Sequence, residues 1–268
     1  MHNIHKWKSE IDILLNDAED QSPPDLLNKV FRLSADIGEN GADALLDAHP
    51  DLLRYSPLLT RAYHQTVIGK EIAEIERLSA LDIPSPMPFK AVASEPTMVT
   101  YNRVGSMFEA VDFADCRKLI MVGCGRLPAA MFHVHDRTNI PEIIGLDILP
   151  EAVATARDLF KRLGYTRARA ELSDGGSFDY AGAQIVLIAN MVSPKAGVVS
   201  RIADTAPEEV RIVVRDPLSL GRLWSDSVER ALDPRLEVAG RGDGSGHWSL
   251  SRDLYLKRRA SADRKLPL

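Results

Sequence analysis

The chain has 268 residues, a formal net charge of −5, 45% hydrophobic and 26% charged residues. These are the proportions of an ordinary globular protein with ample length for a core, which excludes the collagenous, disordered and membrane-embedded classes. Mild acidity argues against a nucleic-acid partner.

The basic stretch KRRASADRK at 257–265 is the one basic cluster and reads as a solvated end. Cys116 and Cys124 are too few for a disulfide framework or a four-ligand zinc site, and they flank a strand-like run, so no bridge is expected. The opening MHNIHKWKSEID lacks the apolar stretch of a secretory signal, and no apolar run reaches the roughly 18–20 residues of a membrane helix. These features lead us to expect a cytoplasmic protein with no membrane partner.

In chain order, the first ~83 residues read as helical. WKSEIDILLNDAE, PPDLLNKVFRLSADI and GADALLDAHPDLL repeat apolar residues every three or four positions. Pro23-Pro24 suits a helix start, and Gly38 and Gly41 suit helix ends. The longest pattern runs over 56–82, with Ser56-Pro57 expected as cap and first turn and Ile68, Ile72, Ile75 and Ser79 expected on one face. The stretch DIPSPMPFKAVASEP at 82–96 is proline-rich and reads as a helix-free linker.

Beyond Pro96 the rhythm alternates. KLIMVGC, IIGLDI, AQIVLIANMV and VRIVVRD read as buried strands, and PAAMFHVHDR, PEAVATARDLFKRLG and VSRIADTA as the helices between them. LEVAG and RDLYLKR read as two closing strands. Continuous apolar strands separated by helices predict an α/β fold with a parallel sheet covered on both faces.

The most informative stretch is LIMVGCGRLPAAMF, in which a strand meets Gly123-Cys124-Gly125 and a helix follows. Such a turn lets a ligand approach the backbone closely in front of a helix N-terminus. The next strand ends in Asp147, 22 positions beyond Gly125, where an acid suits ribose hydroxyls. A dinucleotide site wants a third glycine where Pro128 stands, and proline offers no amide hydrogen there. S-adenosylmethionine (SAM) carries no phosphate, so the pattern favours SAM over NAD, with Gly123, Gly125 and Asp147 as its ligands. Asp174, after the presumed third strand, is a candidate for the adenine amine. Asn190 ends the fourth strand, at the sheet edge where ligands of parallel sheets collect.

The turn Gly-Cys-Gly-Arg-Leu-Pro resembles that of the nicotianamine synthase family and its bacterial relatives, the aminobutanoyltransferases of opine-metallophore assembly. PTMVTYNRVGSMFEAV at 96–111 is similar to that family's tyrosine-bearing segment, with Thr97 and Met98 in place of its tyrosine pair and Tyr101 retained. IGKEIAEIER at 68–77 is similar to its glutamate-bearing helix, with Glu76 at the matching acid, and RDPLSLGRLW at 215–224 to the segment after its fifth strand.

The resemblance implies a class I SAM-dependent methyltransferase-like (Rossmann-like) domain at 96–259, beneath an N-terminal all-helical lid domain with its linker at 1–95 and before a basic tail at 260–268. It implies use of SAM's 3-amino-3-carboxypropyl (aminobutanoyl) arm as co-substrate. That arm is either transferred to a small amino-acid amine or cyclised to azetidine-2-carboxylate, with methylthioadenosine released. Glu76 is then the expected base or ammonium anchor, with Glu71 and Glu74 on the same helix as substitutes. Tyr101 is expected to orient the amino-acid end of SAM, Asn190 to accept from the reacting amine, and Arg222 and Glu71 to bind substrate.

The alternatives are a small-molecule methyltransferase and a non-catalytic SAM-binding module. No metal is expected, since His133 and His135 sit two apart on a helix and point to different faces. His247 and Trp248 follow the glycine-rich loop and read as part of a turn. A homodimer is compatible with the sequence.

Overall fold

The structure is a computed structural model that describes residues 2–243 and 250–259. His247, Trp248 and the tail 260–268 lie outside the described residues. Four helices open the chain: α1 (His2–Asn16), α2 (Pro23–Ile37), α3 (Glu39–Ala48) and α4 (Ser56–Ser79). The Ser22 side chain accepts from the Asp25 amide to cap α2, prolines fill its first turn, and Gly38, at φ 73°, ends it.

Helix α4 links two cores. Its first half buries Leu59, Ala62 and Tyr63 among Leu26, Leu45 and Leu52 of the helical layer. Leu78 near its end belongs instead to the core around Phe89, Leu119 and Phe132. At 1.5 Å per residue the helix is about 36 Å long, enough to span both layers. The helical core is closed by Leu220, Leu223 and Trp224, from and just after the 3-10 helix Ser219–Leu223.

Two local expectations are corrected. Ser56 is the first helical residue of α4 and does not cap it. The proline-rich stretch contains the short helix α5 (Phe89–Val92), which begins after Pro88, and α6 (Glu95–Arg103) carries Pro96 in its first turn. Proline breaks a helix interior but is accommodated at its start. Helix α7 (Met107–Ala110) then leads into the sheet.

The α/β layer alternates as the sequence predicts: β1 (Lys118–Val122), α8 (Ala129–Arg137), β2 (Glu142–Asp147), α9 (Pro150–Leu163), β3 (Ala168–Leu172), β4 (Ile185–Ile188), α10 (Lys195–Thr205), β5 (Arg211–Pro217), β6 (Leu236–Arg241) and β7 (Ser251–Arg258). Among the described residues these strands form one sheet in the order β3-β2-β1-β4-β5-β7-β6. The first five are parallel and β7 runs antiparallel between β5 and β6. Every residue of β4 is buried, as a central strand covered on both faces requires. One face packs on Phe132, Leu159 and Phe160 of α8 and α9. The other packs on Val198, Val199 and Ile202 of α10. The order reverses between β1 and β4, so the crevice beyond their carboxyl ends is where the topology places a ligand.

Candidate active site

The turn after β1 occupies that crevice. Gly123 (φ 75°) and Gly125 (φ 69°) both adopt the left-handed conformation, which side-chain-bearing residues enter only with strain. A Cβ on Gly123 would lie 2.7 Å from the Val192 side chain, and one on Gly125 3.1 Å from Glu71 Oε1. The turn is tied down from below, since the Gly123 and Cys124 amides donate to the Leu146 carbonyl. Asp147, at the end of β2, accepts from the Gly125 amide through Oδ2 (2.9 Å) and from the Leu149 amide through Oδ1 (3.0 Å). Gly123, Gly125 and Asp147 therefore converge, as the motif predicts. Cys124 points inward against Gly145, and burial pushes its thiol up to about 12, so it packs and does not serve as a nucleophile.

Asp174 lies where the sequence puts it, beyond β3 and exposed. Its carboxylate accepts from the Gly176 amide (2.8 Å) and shapes its own turn.

The helical layer contributes one acid to the glycine turn, and it is Glu71. Burial pushes its carboxyl up to about 7, opposed by the backbone amide and positive charge of Arg126. Glu76 is exposed. Five positions along a helix correspond to about 140° of rotation, so the two acids cannot share a face. Glu76 is therefore corrected as the acid at the glycine turn, where Glu71 stands instead. The error follows from the choice of stripe: Ile72 is 41% exposed, while the buried face runs through Leu59, Tyr63, Glu74 and Leu78. Glu74 is committed elsewhere, paired with Arg77 (2.8 Å) and accepting from the Ser94 amide (2.8 Å).

Tyr101 is also corrected. It is buried on α6, and its hydroxyl donates to Asp136 Oδ2 (2.7 Å) near the far end of α8. Tyr165 donates to the other oxygen of Asp136 (2.8 Å). This knot fastens α6 to the sheet layer and commits the hydroxyl hydrogen of Tyr101 to Asp136. His133 packs against Tyr101 and His135 against Tyr165, each at 4.5 Å between ring centres, on separate faces of α8. Among the described residues no group of three or more His, Cys, Asp or Glu side chains is placed to hold a metal ion.

Asn190 follows β4 at the carboxyl edge and is firmly held. Its amide donates to the Tyr63 hydroxyl (3.0 Å), and its side-chain and backbone oxygens accept from Ser225 (3.2 and 3.0 Å). Ser225 accepts in turn from the buried Lys195, which burial brings down to about 8. Arg222 is corrected as a substrate binder, although it borders the cleft beside Asn190. Its guanidinium is engaged by Asp43 (2.5 Å) and Asp47 (3.5 Å) of α3, where it joins the two layers.

A cleft of about 320 Å³ lies between α4 and the segments after β4 and β5, walled by Thr60, His64, Asn190, Ser193 and Asp226 among others. Reading the sequence missed Thr60 and His64 as wall residues. The available signal was a face of α4 on which Thr60, His64 and Glu71 recur at helical spacing.

Strand order with β7 reversed, and a glycine turn after β1 answered by an acid at the end of β2, define the class I SAM-dependent methyltransferase fold. No protein-family model and no curated protein sequence matches the chain. Among solved structures, it resembles a mutant of MtNAS, a nicotianamine synthase, in complex with S-adenosylmethionine, with a TM-score of 0.76 at 16% identity over 94% of this chain and 98% of that one. MtNAS in complex with MTA and tNA aligns at a TM-score of 0.71 and 15% identity over 97% and 98% of the two chains. The mitomycin 7-O-methyltransferase MmcR aligns at 0.51 and 16% identity over 96% and 93%. The MtNAS alignments extend through the N-terminal helical layer as well as the sheet. No helix among the described residues is long and apolar enough to cross a membrane.

Proposed function

We propose that this chain is an enzyme that uses SAM as co-substrate and reacts at its aminobutanoyl arm. The observation that carries the reading is the Glu71 carboxylate, lowered from the helical layer onto the glycine turn and poised near neutrality. An amine attacks carbon only when unprotonated, and a base with a pKa near 7 is matched to that proton. The glycine turn and Asp147 fit SAM because they offer a close backbone and an acid for the ribose.

In the proposed step, an amine nitrogen forms a bond to the arm carbon next to the sulfonium. The carbon–sulfur bond breaks, and its electron pair stays on sulfur to give neutral methylthioadenosine. The amine loses its proton to Glu71. With SAM's own amine as nucleophile, the product is azetidine-2-carboxylate; with the amine of a separate small amino acid, it is an aminobutanoyl adduct. The cleft beside Asn190 has room for such an acceptor. The nicotianamine synthase resemblance of the glycine turn supports chemistry at the arm over chemistry at the methyl group.

Mass spectrometry of the purified chain incubated with SAM tests this. Methylthioadenosine is the expected product. Formation with SAM alone, beside azetidine-2-carboxylate, assigns cyclisation, and dependence on an added amino acid assigns transfer. S-adenosylhomocysteine would overturn the reading in favour of a methyltransferase. SAM binding without turnover would leave a binding module.

A further inference from the structure

A second, smaller cavity of about 60 Å³ lies on the carboxyl edge of the sheet between β4 and β5. Its walls are largely apolar, including Met107, Met121 and Val213, but Arg103, Arg215 and Asp253 also face it. Ala189 belongs to its wall and also lies 3.2 Å from the position of a Cβ on Gly123, while Ala130, in the first turn of α8, forms another side. The cavity therefore adjoins the glycine turn directly.

The charges do not balance there. Arg215 donates to Asp253 (2.7 Å) and to Ser251 (2.8 Å), so the single carboxylate is already matched by one guanidinium. Arg103, at the end of α6, is half-buried. Among the described residues, none accepts a hydrogen bond from its guanidinium. Burial and the charge of Arg215 both press its affinity for a proton down, with Tyr63 and Asp253 opposing at longer range. An arginine remains charged in a protein and presents five donors in a planar fork. An unmatched cation in an apolar wall is costly unless an anion arrives. The space is small and mostly apolar, so it suits a carboxylate carried on a short aliphatic chain.

We infer that Arg103, flanked by the Arg215–Asp253 pair, forms a binding subsite for the α-carboxylate of an amino-acid moiety. This inference rests on the SAM reading above. The carboxylate comes from SAM's own arm or from an acceptor amino acid, and the subsite anchors the chain that carries it. Arg103 takes the part that the sequence assigned to Arg222.

The test is calorimetric titration of the whole chain and its Arg103→Met and Arg103→Lys variants with SAM, decarboxylated SAM and methylthioadenosine. If SAM supplies the carboxylate, the wild type prefers SAM to decarboxylated SAM. Arg103→Met then loses about 10- to 100-fold in SAM affinity, the loss expected for charge-assisted hydrogen bonds, and the preference disappears. Its affinity for methylthioadenosine, which lacks the arm, stays unchanged. If the acceptor supplies it, SAM affinity holds and the KM for the amino acid rises by a similar factor. Arg103→Lys keeps the charge but not the fork and falls between.

Unchanged SAM affinity together with unchanged acceptor KM overturns the subsite and leaves the SAM reading standing. A wild type that binds neither SAM nor methylthioadenosine overturns both. The melting temperature of ligand-free Arg103→Met is a further check. It should equal or exceed the wild-type value, and a large drop would show that Arg103 has a structural partner.

Discussion

The Glu71 carboxylate faces the bare backbone of Gly125, its Oε1 3.1 Å from where a Cβ would sit. A residue of the helical layer thereby meets the turn that the sheet layer builds. Glu71→Gln keeps the shape and removes the proposed base. Turnover should fall by about 10²- to 10⁴-fold, the usual contribution of a positioned general base, with SAM affinity nearly unchanged. Glu76→Gln, on the exposed face of α4, should leave turnover as it is. Steady-state assays of both variants check the assignment, and a large loss in the second alone would reverse it.

The Glu71 carboxyl also sets a pH dependence. With its pKa raised to about 7 from the ordinary 4.5, the base is protonated and inactive in acid, so turnover should climb as pH rises through about 7. Stability has the opposite sign. A carboxyl with a raised folded pKa contributes stability that is fully present below 4.5 and lost as pH rises through about 7. Glu71→Gln, neutral throughout, should melt above the wild type on the alkaline side of 7 and alongside it below 4.5. Paired thermal-melt and pH–rate series read both signs.

The glycine turn has no room for a side chain. Gly125→Ala places a Cβ against Glu71 at a left-handed φ of 69°, which costs about 1–2 kcal/mol in backbone strain before any clash. Its SAM affinity should drop sharply. Asp147→Ala should also weaken SAM binding, by about 10-fold or more, since it removes the proposed ribose acceptor and the partner of the Gly125 amide. Calorimetric titration measures both losses, and full affinity in Asp147→Ala would exclude it from the site.

The Tyr101–Asp136–Tyr165 knot predicts a stability effect without a kinetic one. Tyr101→Phe removes one donor while Asp136 keeps the other, at a cost of about 1–2 kcal/mol and a few degrees of melting temperature. Its kcat and KM should match the wild type. Asp136→Ala strands two buried hydroxyls and should cost more. A selective rise in KM for Tyr101→Phe would return the tyrosine to the site.

Arg222→Met removes one of the two arginine partners of Asp43 and Asp47 at the joint between the layers, while Arg230 still pairs with both. A partly exposed ion pair contributes about 0–1 kcal/mol, so the variant should melt near the wild type and keep its KM. A rise in KM confined to a carboxylate-bearing substrate would restore Arg222 as a binding residue.

The order of the α/β elements, the glycine turn and its partner Asp147 were legible in the sequence because each depends on local rules. Apolar runs define buried strands, and glycine marks a left-handed turn. An acid closing the next strand of a parallel sheet must emerge at the same edge. Arg103 and His64 were not legible, and Glu71 stood only as one of three acids on α4, because their placement depends on how α4 and α6 lie across the sheet. On α4, isoleucines suggested one inward face and the fold selected another, since part of the true inward face borders a cavity and is polar. Arg222 and Tyr101 carried the right chemistry but were claimed by Asp43 and Asp136, partners 179 and 35 positions away. Sequence by itself determined the architecture and the cradle at Gly123 and Gly125. Only the tertiary structure decided which polar side chains remain free to act, because that depends on which long-range partners satisfy them first.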